Sequence, residues 1–453
     1  MARDTIDESL ITGFDDLVEY LAAGCKPKQS FRIGTEHEKF PFYVDGHSPV
    51  PYEGEKGILA LLEGMQKLLG WEPIMDEGRL IGLLSPLGQG AISLEPGGQF
   101  ELSGAPLETL HQTCRETNAH LMQVQQVATS LGIGFLAVGA SPKWKLRETP
   151  HMPKSRYEIM RSYMPKVGQC GLDMMYRTTT IQVNLDFSSE SNMRHKMQVG
   201  MKLQPLATAL FASSPFTEGK PNGFLSWRSE IWRDTDSARS GLLSFAFSDS
   251  FGFADYAAWA LDVPMYFIVR DGHYIDCTHI TFRQFMDGAV DTVAPNMGDW
   301  INHLSTLFPD VRLKRFLEMR GADGGSGRYI CALPAFWTGL LYDEEALEAA
   351  LDLTKHWTYE DVLHMRDHVP RMGLRTPFAG KTVREWARPV LDMARLGLKN
   401  RHRLNESGND ETCFLDCLED VVLSGKSEAD RLLASYYALW GSSVEPVFLD
   451  YAY

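Results

Sequence analysis

A chain of 453 residues with 44% hydrophobic and 23% charged side chains has the make-up of a folded globular protein, which excludes disorder over most of its length. Its 44 basic and 59 acidic residues give a formal net charge of −15, which argues against nucleic acid or an anionic membrane as the main partner. No stretch approaches about twenty uninterrupted apolar residues, so no membrane-spanning helix is expected.

In chain order, the polar start Met1-Ala-Arg-Asp-Thr-Ile-Asp-Glu8 reads as neither a secretory signal nor a transit peptide. Asp15 to Ala23 reads as an acidic helix leading through Gly24-Cys-Lys-Pro27 into a strand from Phe31 to Tyr43. A helix from about Gly57 to Leu69 follows. Leu80 to Leu84, a turn at Ser85-Pro86-Leu-Gly88, and Ala91 to Ser103 then read as adjacent strands. The clearest long helix is expected to be opened by Pro106 and closed by Gly132, with Leu107, Leu110, Cys114, Leu121, Val124, Ala128 and Leu131 recurring mostly at three- and four-residue steps on one face.

Thr180-Ile-Gln-Val-Asn-Leu-Asp-Phe187 alternates fully, with Ile181, Val183, Leu185 and Phe187 on one face and Thr180, Gln182, Asn184 and Asp186 on the other. On pattern alone that polar face is expected to meet water. A helix pair from Asn192 to Ser213 is expected, kinked or divided at Pro205. Met265 to Val269, Asp271-Gly272 and His273 to Asp276 give a β-hairpin signal. From about Glu344 the pattern turns to helices with charged outer faces. The expected fold class is α+β: one domain over residues 1–453, an antiparallel sheet packed on one side by helices, with a mainly helical C-terminal region.

Three acidic segments carry the chemistry: Gly34-Thr-Glu-His-Glu-Lys-Phe40, Ser93-Leu-Glu-Pro-Gly-Gly-Gln-Phe-Glu-Leu-Ser103 and Leu317-Glu-Met-Arg-Gly-Ala-Asp-Gly-Gly325. Strand alternation puts Glu36 and Glu38 on one face, Glu95, Gln99 and Glu101 on another, and Glu318 beside Arg320. Carboxylates crowded on one face repel and lose hydration, so a cation is expected to compensate them. Oxygen ligands without a histidine or cysteine cluster point to Mg²⁺, with Mn²⁺ as the alternative, and Mg²⁺ to phosphate chemistry.

Neither a Walker-type loop nor a dinucleotide fingerprint occurs. What remains is Arg320-Gly-Ala-Asp-Gly-Gly-Ser-Gly-Arg328, a glycine-rich loop flanked by arginines that suits a γ-phosphate. Lys220 to Asp236 interleaves arginines with tryptophans, as a pocket gripping a carboxylate would. Met152-Pro-Lys-Ser-Arg-Tyr-Glu158 is a further basic segment. His37 should point to the opposite face from its flanking glutamates and pack. Seven scattered cysteines form no dense disulfide framework and no Cys-x-x-Cys zinc pair, and a reduced setting is expected; Cys413 and Cys417 read as small, partly buried helix neighbours.

These segments, together with Ser214-Pro-Phe-Thr-Glu-Gly-Lys-Pro-Asn-Gly223 and Leu261-Asp-Val-Pro-Met-Tyr266, resemble the plant-type glutamate-cysteine ligases of plants and many proteobacteria. The resemblance implies a glutamine-synthetase-like catalytic fold whose sheet cradles ATP, magnesium and glutamate. It implies attack of the glutamate γ-carboxylate on ATP, then displacement of phosphate from γ-glutamyl phosphate by the cysteine amine, the first step of glutathione synthesis. Glu36, Glu38, Glu95, Glu101 and Glu318 are the expected metal ligands, Arg320 and Glu318 the catalytic pair, and Arg156, Arg228, Arg233 and Asn184 the substrate-binding residues. Expected partners are the small molecules glutamate, cysteine and ATP, in a monomer or homodimer. The plant enzymes' transit peptide and one of their regulatory disulfides are expected to have no counterpart here: Cys277 matches one half of that bond, and 278–330 contains no cysteine. A bacterial, cytoplasmic enzyme is therefore expected. The alternatives are a same-fold ligase using another amine, or a catalytically silent nucleotide- or amino-acid-binding protein.

Overall fold

The structure is a computed structural model and describes residues 4–87, 90–290 and 293–453. Gly88 of the expected turn lies outside the described residues. The elements that position the site are α1 (Phe14–Ala22), β1 (Ile33–Tyr43), α2 (Ile58–Leu69), β2 (Glu72–Asp76), β3 (Arg79–Leu84), β4 (Ala91–Leu94), β5 (Phe100–Ser103), α3 (Leu110–Leu131), β6 (Ile133–Leu136), α4 (Ser155–Val167), β7 (Thr180–Leu185) and α5 (Glu190–Leu210). They continue with α6 (Trp227–Arg233), β8 (Phe267–Arg270), β9 (His273–Asp276), α7 (Met297–Ser305), β10 (Val311–Leu313), β11 (Leu317–Asp323), α8 (Gly327–Leu341) and α9 (Val383–Asn400).

One nine-stranded sheet runs β10-β11-β7-β1-β5-β4-β3-β2, with β6 paired to the far half of β1. Every pairing in it is antiparallel. The register sets Glu36 opposite Gln182, Glu38 opposite Glu101 and Glu318 opposite Asn184. Alternation does the rest. Ile33, Ile181, Val183, Leu185, Leu317 and Met319 are fully buried in one core cluster with residues of α5 and α8, and Leu83, Ile92, Leu94, Phe100 and Leu102 form a second with α2 and α3. The polar residues between them therefore share the opposite face, under α4, α6 and the β8–β9 hairpin.

Three expectations are corrected. Pro106 does not open α3: Leu107 exchanges backbone hydrogen bonds with Ile33, and Thr109 caps the helix in a capping box with Gln112. Pro205 neither divides nor ends its helix, because residues 196–210 are buried all round and packing holds both halves in one helix. The polar face of β7 does not meet bulk water: Thr180 and Gln182 are buried and line a cavity. A covalent link that spacing did not reveal joins α3 to α8, a Cys114–Cys331 disulfide with its Cα atoms 5.5 Å apart; Cys277 is buried and free.

Candidate active site

The cavity above the sheet is lined by Glu36, Glu38, Glu95 and Glu101 on its floor and by Arg156, Arg228, Arg312 and Arg320 around its wall. Trp232, Tyr157, Phe267 and Phe308 supply its apolar surfaces. Glu36 accepts from Asn184 Nδ2 at 2.9 Å, and Glu38 from the Thr180 backbone N–H at 3.1 Å. Glu101 accepts from the hydroxyls of Ser93 at 2.9 Å and Ser103 at 2.6 Å. Glu95 stands not on a strand, as alternation predicts, but in the turn after β4, where its N–H donates to the Gln99 carbonyl and the Tyr157 hydroxyl lies 3.3 Å from its carboxylate.

Burial, then the neighbouring carboxylates, pushes Glu36 and Glu95 above the usual carboxylate range and Glu38 well above it. Burial opposes ionised Glu101 too, but positive charge nearby, including Lys154, together with the Ser103 and Ser93 donors, holds it below the usual carboxylate range. The floor thus carries three carboxylates short of counter-charge. Among the described residues no three histidine, cysteine or acidic side chains are grouped to hold one ion by themselves. Mg²⁺ usually takes one or two carboxylates and completes its shell with water and phosphate oxygens, so the donor set fits that ion.

Glu318 behaves differently. Fully buried, it accepts from Arg312 at 2.6 and 2.9 Å, from Lys314 at 3.1 Å and from Arg320. These cations outweigh its burial and hold the carboxyl well below the usual range. It is not among the residues lining the cavity, and each of its oxygens takes two donors from Arg312, Lys314 and Arg320. Its effect is to fix Arg312 and Arg320, whose guanidinium also donates to Gln182 Oε1 at 2.7 Å.

Arg228 enters from α6, donating to the Arg320 carbonyl at 3.0 Å. Arg233, one residue past the cavity-lining Trp232, is not among the cavity-lining residues and pairs with Glu230 and Asp367. Arg328 lies outside the cavity, paired with Glu428. His37 packs as expected on the opposite face, edge-on to His120, and burial keeps it neutral. Arg312 and Lys314 were missed, although Val311-Arg-Leu-Lys314 alternates apolar with basic and could have flagged them.

The protein thus sets an acidic floor on an antiparallel sheet against an arginine wall. Its fold matches a solved glutamate-cysteine ligase from Francisella tularensis in complex with AMP, with a TM-score of 0.58 over 93% of this chain and 87% of that one, at 11% identity. The chain belongs to glutamate-cysteine ligase family 2 (GCS2), whose family model matches residues 32–448. Chloroplastic glutamate-cysteine ligases from Nicotiana tabacum and Arabidopsis thaliana are 55% and 56% identical over 442 residues, covering 97% of this chain and 83% of each relative. Those names overturn the cytoplasmic expectation, which stood on a polar N-terminus that does not decide location. Among the described residues no helix is long and apolar enough to cross a membrane.

Proposed function

We propose that the acidic floor and arginine wall carry out the reaction of this family: ATP-dependent ligation of L-glutamate, through its γ-carboxylate, to L-cysteine. The products are γ-glutamylcysteine, ADP and phosphate, and the step is the first of glutathione synthesis. The observation that carries the assignment is that four carboxylates and four arginines, drawn from segments nearly three hundred residues apart, line one cavity.

A carboxylate approaching a triphosphate meets strong repulsion, which positioned positive charge relieves. Glu36, Glu38, Glu95 and Glu101 would hold Mg²⁺, which when bound neutralises phosphate oxygens and orients them. Arg320, locked by Glu318 and Gln182, presents its guanidinium to the transferring phosphoryl group. The γ-carboxylate oxygen bonds to the γ-phosphorus as ADP leaves. The cysteine amine then bonds to the acyl carbon, phosphate leaves, and the amine gives up its proton. Arg156 and Arg228 are assigned to substrate carboxylates, and Asn184 orients Glu36.

The test is ADP and phosphate release from Mg-ATP and glutamate, with and without cysteine or other amines, with the product identified by mass. Cysteine-dependent γ-glutamylcysteine is expected. Turnover only with another amine would replace the acceptor, and no ATP use with any amine would remove the catalytic reading.

A further inference from the structure

Residues 4–11 form a strap that reaches Arg156 on the cavity wall. It is seated on α7: the Thr5 N–H donates to Asn302 Oδ1 at 2.8 Å, and Asn302 Nδ2 donates to the Thr5 carbonyl at 3.0 Å. The Gly298 and Met297 N–H groups donate to the Asp7 and Ser9 carbonyls at 2.8 Å each, and the Ile11 N–H donates to Pro295 at 3.1 Å. A Cβ on Gly298 would stand 2.9 Å from Asp7 N and 3.0 Å from the Thr5 carbonyl, so only glycine lets strap and helix lie this close.

Seated this way, the strap delivers Asp4 to Arg156. Asp4 Oδ1 accepts from Arg156 Nη1 at 3.3 Å, and Oδ2 accepts from the hydroxyl of Tyr274 on β9. The two charged side chains are only 13% and 11% exposed, and Asp4 is the one acidic group within ion-pair distance of Arg156 among the described residues. Arg156 also lines the catalytic cavity, and its buried Nε has no hydrogen-bond partner. One edge of the guanidinium is tied to the strap and another donor is left unsatisfied beside the cavity. A long side chain anchored at one edge loses less freedom when it binds a carboxylate with the rest.

We infer that Asp4 is a positioning residue for the amino-acid substrate: it holds Arg156, and ties the β8–β9 hairpin through Tyr274, in the geometry that receives a substrate carboxylate. The inference rests on the assignment of Arg156 to that carboxylate.

Three variants test it by steady-state kinetics in each substrate. Asp4→Asn keeps shape and loses charge; it should raise the KM for glutamate about tenfold while kcat stays within about twofold, the pattern of weakened binding without lost transition-state contact. The KM for ATP should not move, and Asp4→Glu should recover part of the loss. Gly298→Ala, which touches neither Arg156 nor substrate, should shift the same KM in the same direction by unseating the strap. An unchanged glutamate KM in both variants overturns the inference, and a lowered one would make Asp4 an internal competitor instead. Arg156→Gln separates the two levels: if it leaves the glutamate KM unchanged, the Arg156 assignment itself fails, whereas a raised KM there with none in Asp4→Asn removes only the role of Asp4.

Discussion

Glu36 and Glu318 are carboxylates on neighbouring parts of one sheet, yet their surroundings predict opposite responses to the same substitution. Glu36 has one amide donor and crowded acidic neighbours, so its charge is a cost in the empty protein. Glu36→Gln should keep or raise thermal stability while lowering kcat by at least about 100-fold, as loss of a group that arranges transition-state charge does. Glu318→Gln should instead lower stability by about 3–5 kcal/mol, because Arg312, Lys314 and Arg320 lose the charge that pairs them in a buried site. Thermal unfolding and kcat measured on both variants check this. Equal thermal midpoints would refute the distinction. At this scale the sequence showed the costly acids and Arg156, Arg228 and Arg320, because charge inside apolar strands is visible without a fold. It could not show that Glu318 is saturated, because Arg312 sits across a hairpin whose register only pairing defines.

At the scale of elements, alternation along β7 was readable but its destination was not: a polar face looks the same whether it meets solvent or a cavity, and only the elements packed above it decide. Close helix contact was equally hidden. α8 crosses α9 at two glycines, where a Cβ on Gly397 would lie 1.9 Å from the Gly339 carbonyl and one on Gly339 2.2 Å from the Ala394 carbonyl. Since α8 also packs against β1 and β7, this crossing supports the floor of the site from behind. Gly397→Ala must push the helices apart and should destabilise by about 1–3 kcal/mol. The KM values of the folded fraction should stay unchanged, since no side chain in the cavity moves directly. A denaturation midpoint equal to wild type would show that the crossing absorbs the methyl group.

Across the whole molecule, the Cys114–Cys331 bond closes a span of 217 residues and should contribute about 2–4 kcal/mol by restricting the unfolded chain. Reductant is then expected to lower the thermal midpoint of the wild type and to leave that of Cys114→Ser unmoved.

Whole-molecule stability should also couple to pH through the acidic floor. Glu36, Glu38 and Glu95 hold protons more tightly folded than unfolded, so the stability they contribute is present below the ordinary 4.5 and is lost as pH rises through their folded values. Buried His37 and His120, depressed by burial, act in the opposite sense over part of this range, which hides the trend in any single curve. They are common to metal-free and Mg²⁺-loaded protein, however, and cancel in the difference between the two. A cation on the floor needs the ionised carboxylates and removes their repulsion. The Mg²⁺-induced rise in thermal midpoint should therefore grow as pH is raised from about 4.5 toward neutrality. Glu36→Gln should flatten that growth, and a wild-type difference that stays constant with pH would remove these carboxylates from the cation's ligands.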